Sequence, residues 1–285
     1  LPFKLIIASL TDVSYGTSWG LLDGEFYKTI STPRKYLIIN LFYKLPEYVL
    51  FIYLFFIFLL INDNKFFRKH FRFFGKKILY LLLIILFPLI ISFIAGLKIH
   101  DGLRYFLFLI PYLSIIPGLV IYYLFHNSKY LLSKIFIFLT IISFLYFLFN
   151  FFSITPYHYT YINKFNGNFS DASKRFENDY WGVSIKELVK KIEKDKIFKK
   201  KKNYRIAFCG INYNIGSYYL GKISDLTFIK TSKDEIYDYI IMTNRHNGKD
   251  DDKKSEVKTC FDSYKGKDIL SVKRNGLILS TIRKK

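Results

Sequence analysis

The stretch Ile99 to Phe125, "IHDGLRYFLFLIPYLSIIPGLVIYYLF", places an acid and a base, Asp101 and Arg104, ahead of an apolar run long enough to cross a bilayer. About 20 apolar residues span a hydrocarbon core of about 30 Å, and Tyr105 to Phe125 meets that length. The run fixes the fold class for its neighbours as well, because one membrane-spanning segment makes every similar stretch a candidate.

Three more stretches qualify. They are Pro46 to Ile61, short and extended into the preceding "YLIINLFYKL", then Ile78 to Leu97, and Ile135 to Ile154. Pro88, Pro111 and Pro117 lie inside two of the four runs and predict kinks, since neighbouring helices in a bundle can satisfy the carbonyls a proline frees. Composition agrees with segregation along the chain. Hydrophobic residues make up 51% and aromatics 20% of the 285 residues, yet 23% are charged, too apolar on average for an ordinary soluble domain. Nearly all long apolar runs precede Phe152. The expected fold class is a polytopic α-helical membrane domain followed by a small extracytoplasmic α/β domain. Residues 1–45 form an extracytoplasmic loop and interfacial segment, 46–155 the transmembrane domain of about four helices, and 156–285 the soluble domain. The opening "LPFKLIIASL" reads as the tail of an apolar segment and suggests a missing part upstream.

A net charge of +21 could serve nucleic acid in a soluble protein, but no recognition module accompanies it and the lysines are scattered, so nucleic acid is excluded as a partner. The bilayer takes its place. The loop from Asn62 to Lys77 carries Lys65, Arg68, Lys69, Arg72, Lys76 and Lys77, the densest basic connection in the chain, which orients it to the cytoplasm. Alternation then exports everything after Thr155.

The tail predicts a small α/β domain. "WGVSIKELVKKIEK" opens with a capping box, Ser184 to Glu187, followed by apolar residues at helical spacing. "NYRIAFCG", "DLTFIK" and "YDYIIMT" read as short strands, "GSYYL" as part of a helix, and Asn275-Gly276 as a hairpin turn. Phe176 to Lys285 is expected to fold alone.

Chemical motifs are sparse. Cys209 and Cys260 lack any CxxC or ligand cluster, so neither a metal site nor a cofactor is expected. Cys209 reads as a small buried residue in a strand, while an exported location would permit a disulfide. His158 and His246 are isolated. "GINYNIGS" lacks the glycine spacing of a phosphate loop and reads as a strand-to-helix turn. Lys190 to Lys202 forms a basic helix end and linker, either solvated or touching anionic headgroups.

Two stretches stand out. In "STPRKYLIINLFYKLPEYVL", Arg34, Lys44 and Glu47 sit at the water boundary before the first span, and in "HDGLR" Asp101 and Arg104 can pair at i, i+3. One reading makes Asp101 a helix cap and lets Arg104 snorkel. The other gathers these cations at one membrane face to hold a lipid phosphate, for which arginine offers a bidentate fork.

"TPRKYLIINLFYKLPEYVL", "HDGLRYFLFLIPYLSIIPGL", "PYHYTYINKFNG" and "FENDYWGVSIKEL", in that order, resemble the C-terminal half of GT-C membrane glycosyltransferases of the protein-mannosyltransferase and aminoarabinose-transferase type, particularly bacterial ones. The resemblance covers most of Tyr36 to Glu187. It implies an enzyme that moves a sugar from a polyprenyl-phosphate-linked donor to a glycan, lipid or protein acceptor on the periplasmic side of a bacterial inner membrane, without a cofactor. In such enzymes the acceptor-activating acids lie in early outer loops. Asp12, Asp23 and Glu25 do not match that motif, so no catalytic residue is carried over. Trp181, in the family-like "NDYWG", could stack on a sugar or pack ahead of the Ser184 cap. The alternatives are a non-catalytic membrane protein with an exported partner-binding domain, and a transporter or ligase for lipid-linked glycans.

Overall fold

The computed structural model describes residues 19–95, 98–99, 102–195, 203–223, 228–231, 235–248 and 252–285. The chain folds as two compact units, each taken by itself. The first gathers Ile30–Phe152 and Ile162–Phe165. The second gathers residues 19–29, Ser153–Tyr161 and Asn166–Lys285.

The first unit is helical. It contains α1 (Tyr36–Lys44), α2 (Glu47–Asn62), α3 (Asn64–His70), α4 (Phe74–Ala95), α5 (Ile110–His126, led in by a 3-10 turn over Arg104–Leu109) and α6 (Leu131–Ser153). Three helical segments, Phe74–Ile94, Arg104–His126 and Leu131–Ser153, are long and apolar enough to cross a membrane. At 1.5 Å per residue each is at least about 30 Å long. Among the described residues a fourth span arises if α1 and α2 are taken together, and these meet at 107°. The stretch "YLIINLFYKL" forms a helix of its own, broken from α2 because Leu45 is extended (φ −75°, ψ 137°) ahead of Pro46, a residue type that disfavours helix at the position before it. Pro88 and Pro117 lie inside α4 and α5. Pro111 is in the first turn of α5, where its missing N–H is no loss.

Narrow stripes hold these helices together. On α2, Ile52, Phe56 and Leu59 are buried at helical spacing; on α5, Leu113, Ile116, Val120 and Leu124 are. Tyr53 donates its hydroxyl hydrogen to the Leu113 carbonyl at 2.9 Å. Aromatics join α2 to α6, where Phe55 stacks on Phe136 at 3.8 Å and Tyr48 meets Phe144 at 5.4 Å. The outward faces stay apolar: Leu54, Ile57, Leu83, Phe87, Phe138 and Leu145 are all exposed. Helices that are hydrophobic all round require either protein or lipid around them.

The second unit is built on a five-stranded mixed sheet in which Phe228–Lys230, Tyr204–Cys209, Tyr239–Thr243, Leu277–Lys284 and Lys267–Arg274 lie side by side in that order. Its strands are β3 (Tyr204–Cys209), β4 (Phe228–Lys230), β5 (Tyr239–Thr243), β6 (Lys267–Arg274) and β7 (Leu277–Lys284). β3 runs parallel to β4 and β5, while β7 pairs antiparallel with β5 and β6. Asn275 and Gly276 form the two-residue β6–β7 turn, both at positive φ (47° and 80°), as a primed hairpin turn requires. Every residue of β5 is buried, as suits a central strand covered on both faces. Helix α7 (Ile185–Lys194) buries Ile185, Leu188, Val189 and Ile192, and α8 (Tyr213–Leu220) follows β3. Asn212 caps α8 by accepting the Asn214 N–H at 2.9 Å, so "GINYNIGS" is the strand-to-helix turn expected.

Two boundaries differ from the sequence reading. The hairpin of β1 (Trp19–Leu22) and β2 (Glu25–Lys28) belongs with the sheet unit: Leu22 bridges Phe176, the Gly24 N–H donates to the Arg175 carbonyl at 3.0 Å, and Asp23 pairs with Arg175. Residues 153–161 belong there too. Long-range pairing of this kind leaves no local periodicity to read. The tail from Phe176 is thus only part of the folded unit.

Candidate functional site

The two stretches singled out in the sequence meet in the first unit. The Thr32 hydroxyl donates to the Ile99 carbonyl and accepts the Ile99 N–H, both at 3.0 Å. Four residues on, the Tyr36 hydroxyl accepts the Gly102 N–H at 2.8 Å and donates to the Gly102 carbonyl at 3.3 Å. Two side chains four residues apart thus replace the missing partners of an irregular backbone. Gly102 sits at φ +72°, where a side chain would be strained. The stitching brings the segment carrying Arg34 beside the segment carrying Arg104.

The charges around it have definite settings. Arg34 is exposed beside Lys35, the N-cap of α1, where positive charge opposes the helix dipole. Arg104 starts the 3-10 turn, its guanidinium 4.6 Å from the Tyr105 ring centroid and donating to the Tyr105 hydroxyl at 2.5 Å. The N-cap position of that turn is Leu103. Asp101 itself lies outside the described residues.

Lys44 ends α1, about 12 Å along its axis from Tyr36, and Glu47 opens α2. They flank the 107° elbow. Asn163, 2% exposed, fastens it: its Nδ2 donates to the carbonyls of Phe42 (2.6 Å) and Leu45 (2.9 Å), and its N–H to that of Tyr43 (2.9 Å). The Lys164 N–H donates to Glu47 Oε1 at 2.6 Å. A broken helix leaves carbonyls without partners, and Asn163 supplies donors. Glu47 belongs to this joint and stands apart from the Arg34–Arg104 corner. Nothing in the sequence around Asn163 marked it, because its partners are 118 and 121 residues away.

Trp181 lies in the second unit. It is 46% exposed and forms an aromatic group with Tyr159 (5.7 Å, tilted) and Tyr180 (5.0 Å, edge-on). Asp179 organises the loop beneath. Fully buried, it accepts the Val183 N–H (2.8 Å), the Ser184 N–H (2.9 Å) and the hydroxyls of Tyr159 and Ser184. Burial first, then the Asp179 carboxylate, push the Tyr159 phenol far above its ordinary pKa. The predicted capping box is corrected accordingly. Ser184 is the N-cap residue, yet its hydroxyl turns to Asp179 and to Ser280 (2.6 Å), while Asp179 accepts the two N–H groups just ahead of the helix.

Glu187 has another partner as well. Arg274 forks onto it (2.6 and 3.3 Å), the Tyr157 hydroxyl donates at 2.8 Å, and Arg274 Nε reaches the Thr155 carbonyl at 2.9 Å. Burial works to raise the Glu187 pKa, but the Arg274 and Tyr157 hydrogen bonds outweigh it and hold the carboxyl below its usual range. Cys209 and Cys260 form a disulfide across 51 residues. Asp23 and Glu25 are engaged with Arg175 and Lys254. Asp12 is outside the described residues.

Among the described residues, the fold and site define three helices long and apolar enough to span a membrane, joined in sequence to a disulfide-bonded mixed α/β unit. No protein-family model, curated protein or solved structure matches it.

Proposed function

We propose that this chain is part of an integral-membrane glycosyltransferase that takes a sugar from a polyprenyl-phosphate-linked donor and passes it to an acceptor outside the cytoplasm. One observation carries the reading: Thr32 and Tyr36 stitch the Arg34 segment to the Arg104 segment at the head of an apolar helix. Such a corner suits a lipid phosphate. Arg34 adds its charge to a helix end that already favours anions, and a guanidinium offers paired donors to phosphate oxygens. Arg104 rests its guanidinium on the Tyr105 ring at the head of that helix.

Other features support the same reading. The 209–260 disulfide suits an oxidising compartment such as the bacterial periplasm. The exposed ring of Trp181, held by Tyr159 and Tyr180, offers a flat apolar face of the type that stacks on sugars.

The test is donor binding. A polyprenyl phosphate is titrated onto the full chain in neutral detergent, comparing wild type with Arg104→Lys and Arg34→Lys. Lysine keeps the charge but loses the planar fork. Affinity is expected to fall about tenfold or more, the equivalent of one charge-assisted contact, with thermal stability unchanged. Equal affinities in equally stable proteins refute the phosphate corner and the function built on it.

A further inference from the structure

Two histidines end two neighbouring helices of the first unit. His70 is the last residue of α3 and His126 the last of α5, and their ring centroids are 5.1 Å apart. Phe66 lies 4.2 Å from His70, and Tyr122 lies 4.3 Å from His126. Both imidazoles are exposed. Nδ1 of His70 is 2.9 Å from the Phe66 carbonyl, and Nδ1 of His126 is 3.3 Å from the Tyr122 carbonyl. A carbonyl only accepts, so each Nδ1 bears the proton. In the neutral ring Nε2 then holds a lone pair and can give nothing to an anion; on protonation it becomes an N–H donor.

The sequence flanking the pair is one-sided in charge. Helix α3 contributes Lys65, Arg68 and Lys69, Arg72 follows it, and Lys76 and Lys77 open α4. Lys129 lies beyond α5 and Lys134 in the first turn of α6. Asp63 is the one acid from residue 62 to residue 100, and its carboxylate accepts the Tyr123 hydroxyl at 2.9 Å. Cations this concentrated repel a metal ion and attract an anion. Beneath the two rings Phe67 is fully buried against Phe56, Phe74 and Tyr123, tying the corner to the ends of α2, α4 and α5.

We infer that His70 and His126, with the basic residues of α3 and the start of α4, form a site for the phosphate of an anionic phospholipid headgroup, which tightens as the two imidazoles protonate. The site is separate from the Arg34–Arg104 corner and independent of the proposed transferase activity. It rests only on the apolar helices lying in lipid. A headgroup is the fitting source of phosphate because the corner sits where apolar helices end and Lys and Arg begin.

Binding of a fluorescent phosphatidylglycerol to the full chain in neutral detergent tests it, at about pH 5.5 and about pH 8, either side of the histidine range. Wild type is expected to bind about tenfold more tightly at the lower pH, the size of one added charge-assisted hydrogen bond. The His70→Gln, His126→Gln double variant should bind equally at both pH values, at the level its lysines and arginines sustain. pH dependence that survives both substitutions, or is missing in wild type, overturns the inference. So does an equal response to zwitterionic phosphatidylcholine, or displacement by inorganic phosphate at equal concentration. A measurement on wild type alone guards against a misfolded variant: phosphatidylglycerol should raise the NMR titration midpoints of two histidines, and unmoved midpoints overturn the site.

Discussion

Tyr36 and Gly102 stand 66 residues apart and exchange two hydrogen bonds, the phenol oxygen accepting from the Gly102 N–H and donating to its carbonyl. Ile99 and Gly102 lie outside any strand or helix, and Thr32 and Tyr36 satisfy their backbone groups. Tyr36→Phe keeps the ring and removes both bonds. Leaving that part-buried backbone without partners should cost about 1–3 kcal/mol, seen as a lower unfolding midpoint in detergent. Trypsin should then cut faster at Lys98 or Arg104. An unchanged midpoint and digestion rate would show that the stitching carries no weight.

The α1–α2 elbow depends on Asn163. Asn163→Ala leaves the Phe42 and Leu45 carbonyls without their amide donor and should also destabilise by about 1–3 kcal/mol. Asn163→Asp should be worse than alanine, because it aims an acceptor at two acceptors. If aspartate proves the milder change, the donor role is wrong.

Acid should loosen the second unit through Glu187. Its folded pKa is depressed, so its contribution is complete above the unfolded value of about 4.3 and is lost as pH falls through the lower folded value. Both tryptophans, Trp19 and Trp181, lie in this unit, so intrinsic fluorescence reports its unfolding. Glu187→Gln should flatten the stability profile below about pH 4.5. A variant as acid-sensitive as wild type would assign the effect to other carboxylates.

Reduction should act on the same unit. Opening a cross-link over 51 residues removes a restraint worth about 4 kcal/mol in the chain-entropy account. Dithiothreitol should lower the fluorescence midpoint in wild type and leave a Cys209→Ser, Cys260→Ser variant unmoved. Equal midpoints with and without reductant in wild type would contradict a structural disulfide.

The sequence by itself determined whatever depends on neighbours along the chain. Long apolar runs became the helices from Phe74, Arg104 and Leu131, strand-like runs became β3, β4 and β5, and Asn275-Gly276 became the hairpin turn, since length, period and turn chemistry are local. Only the tertiary structure decided where polar side chains found partners. Ser184 and Glu187 have the spacing of a capping box, but buried Asp179 competes for the serine hydroxyl and Arg274, 87 residues on, competes for the glutamate. The Arg34 and Arg104 segments became neighbours through Thr32 and Tyr36, while Lys44 and Glu47 were set apart at an elbow closed by Asn163. A buried backbone group must be paired with something, and which side chain supplies the pairing is settled by proximity in space, which no local pattern encodes.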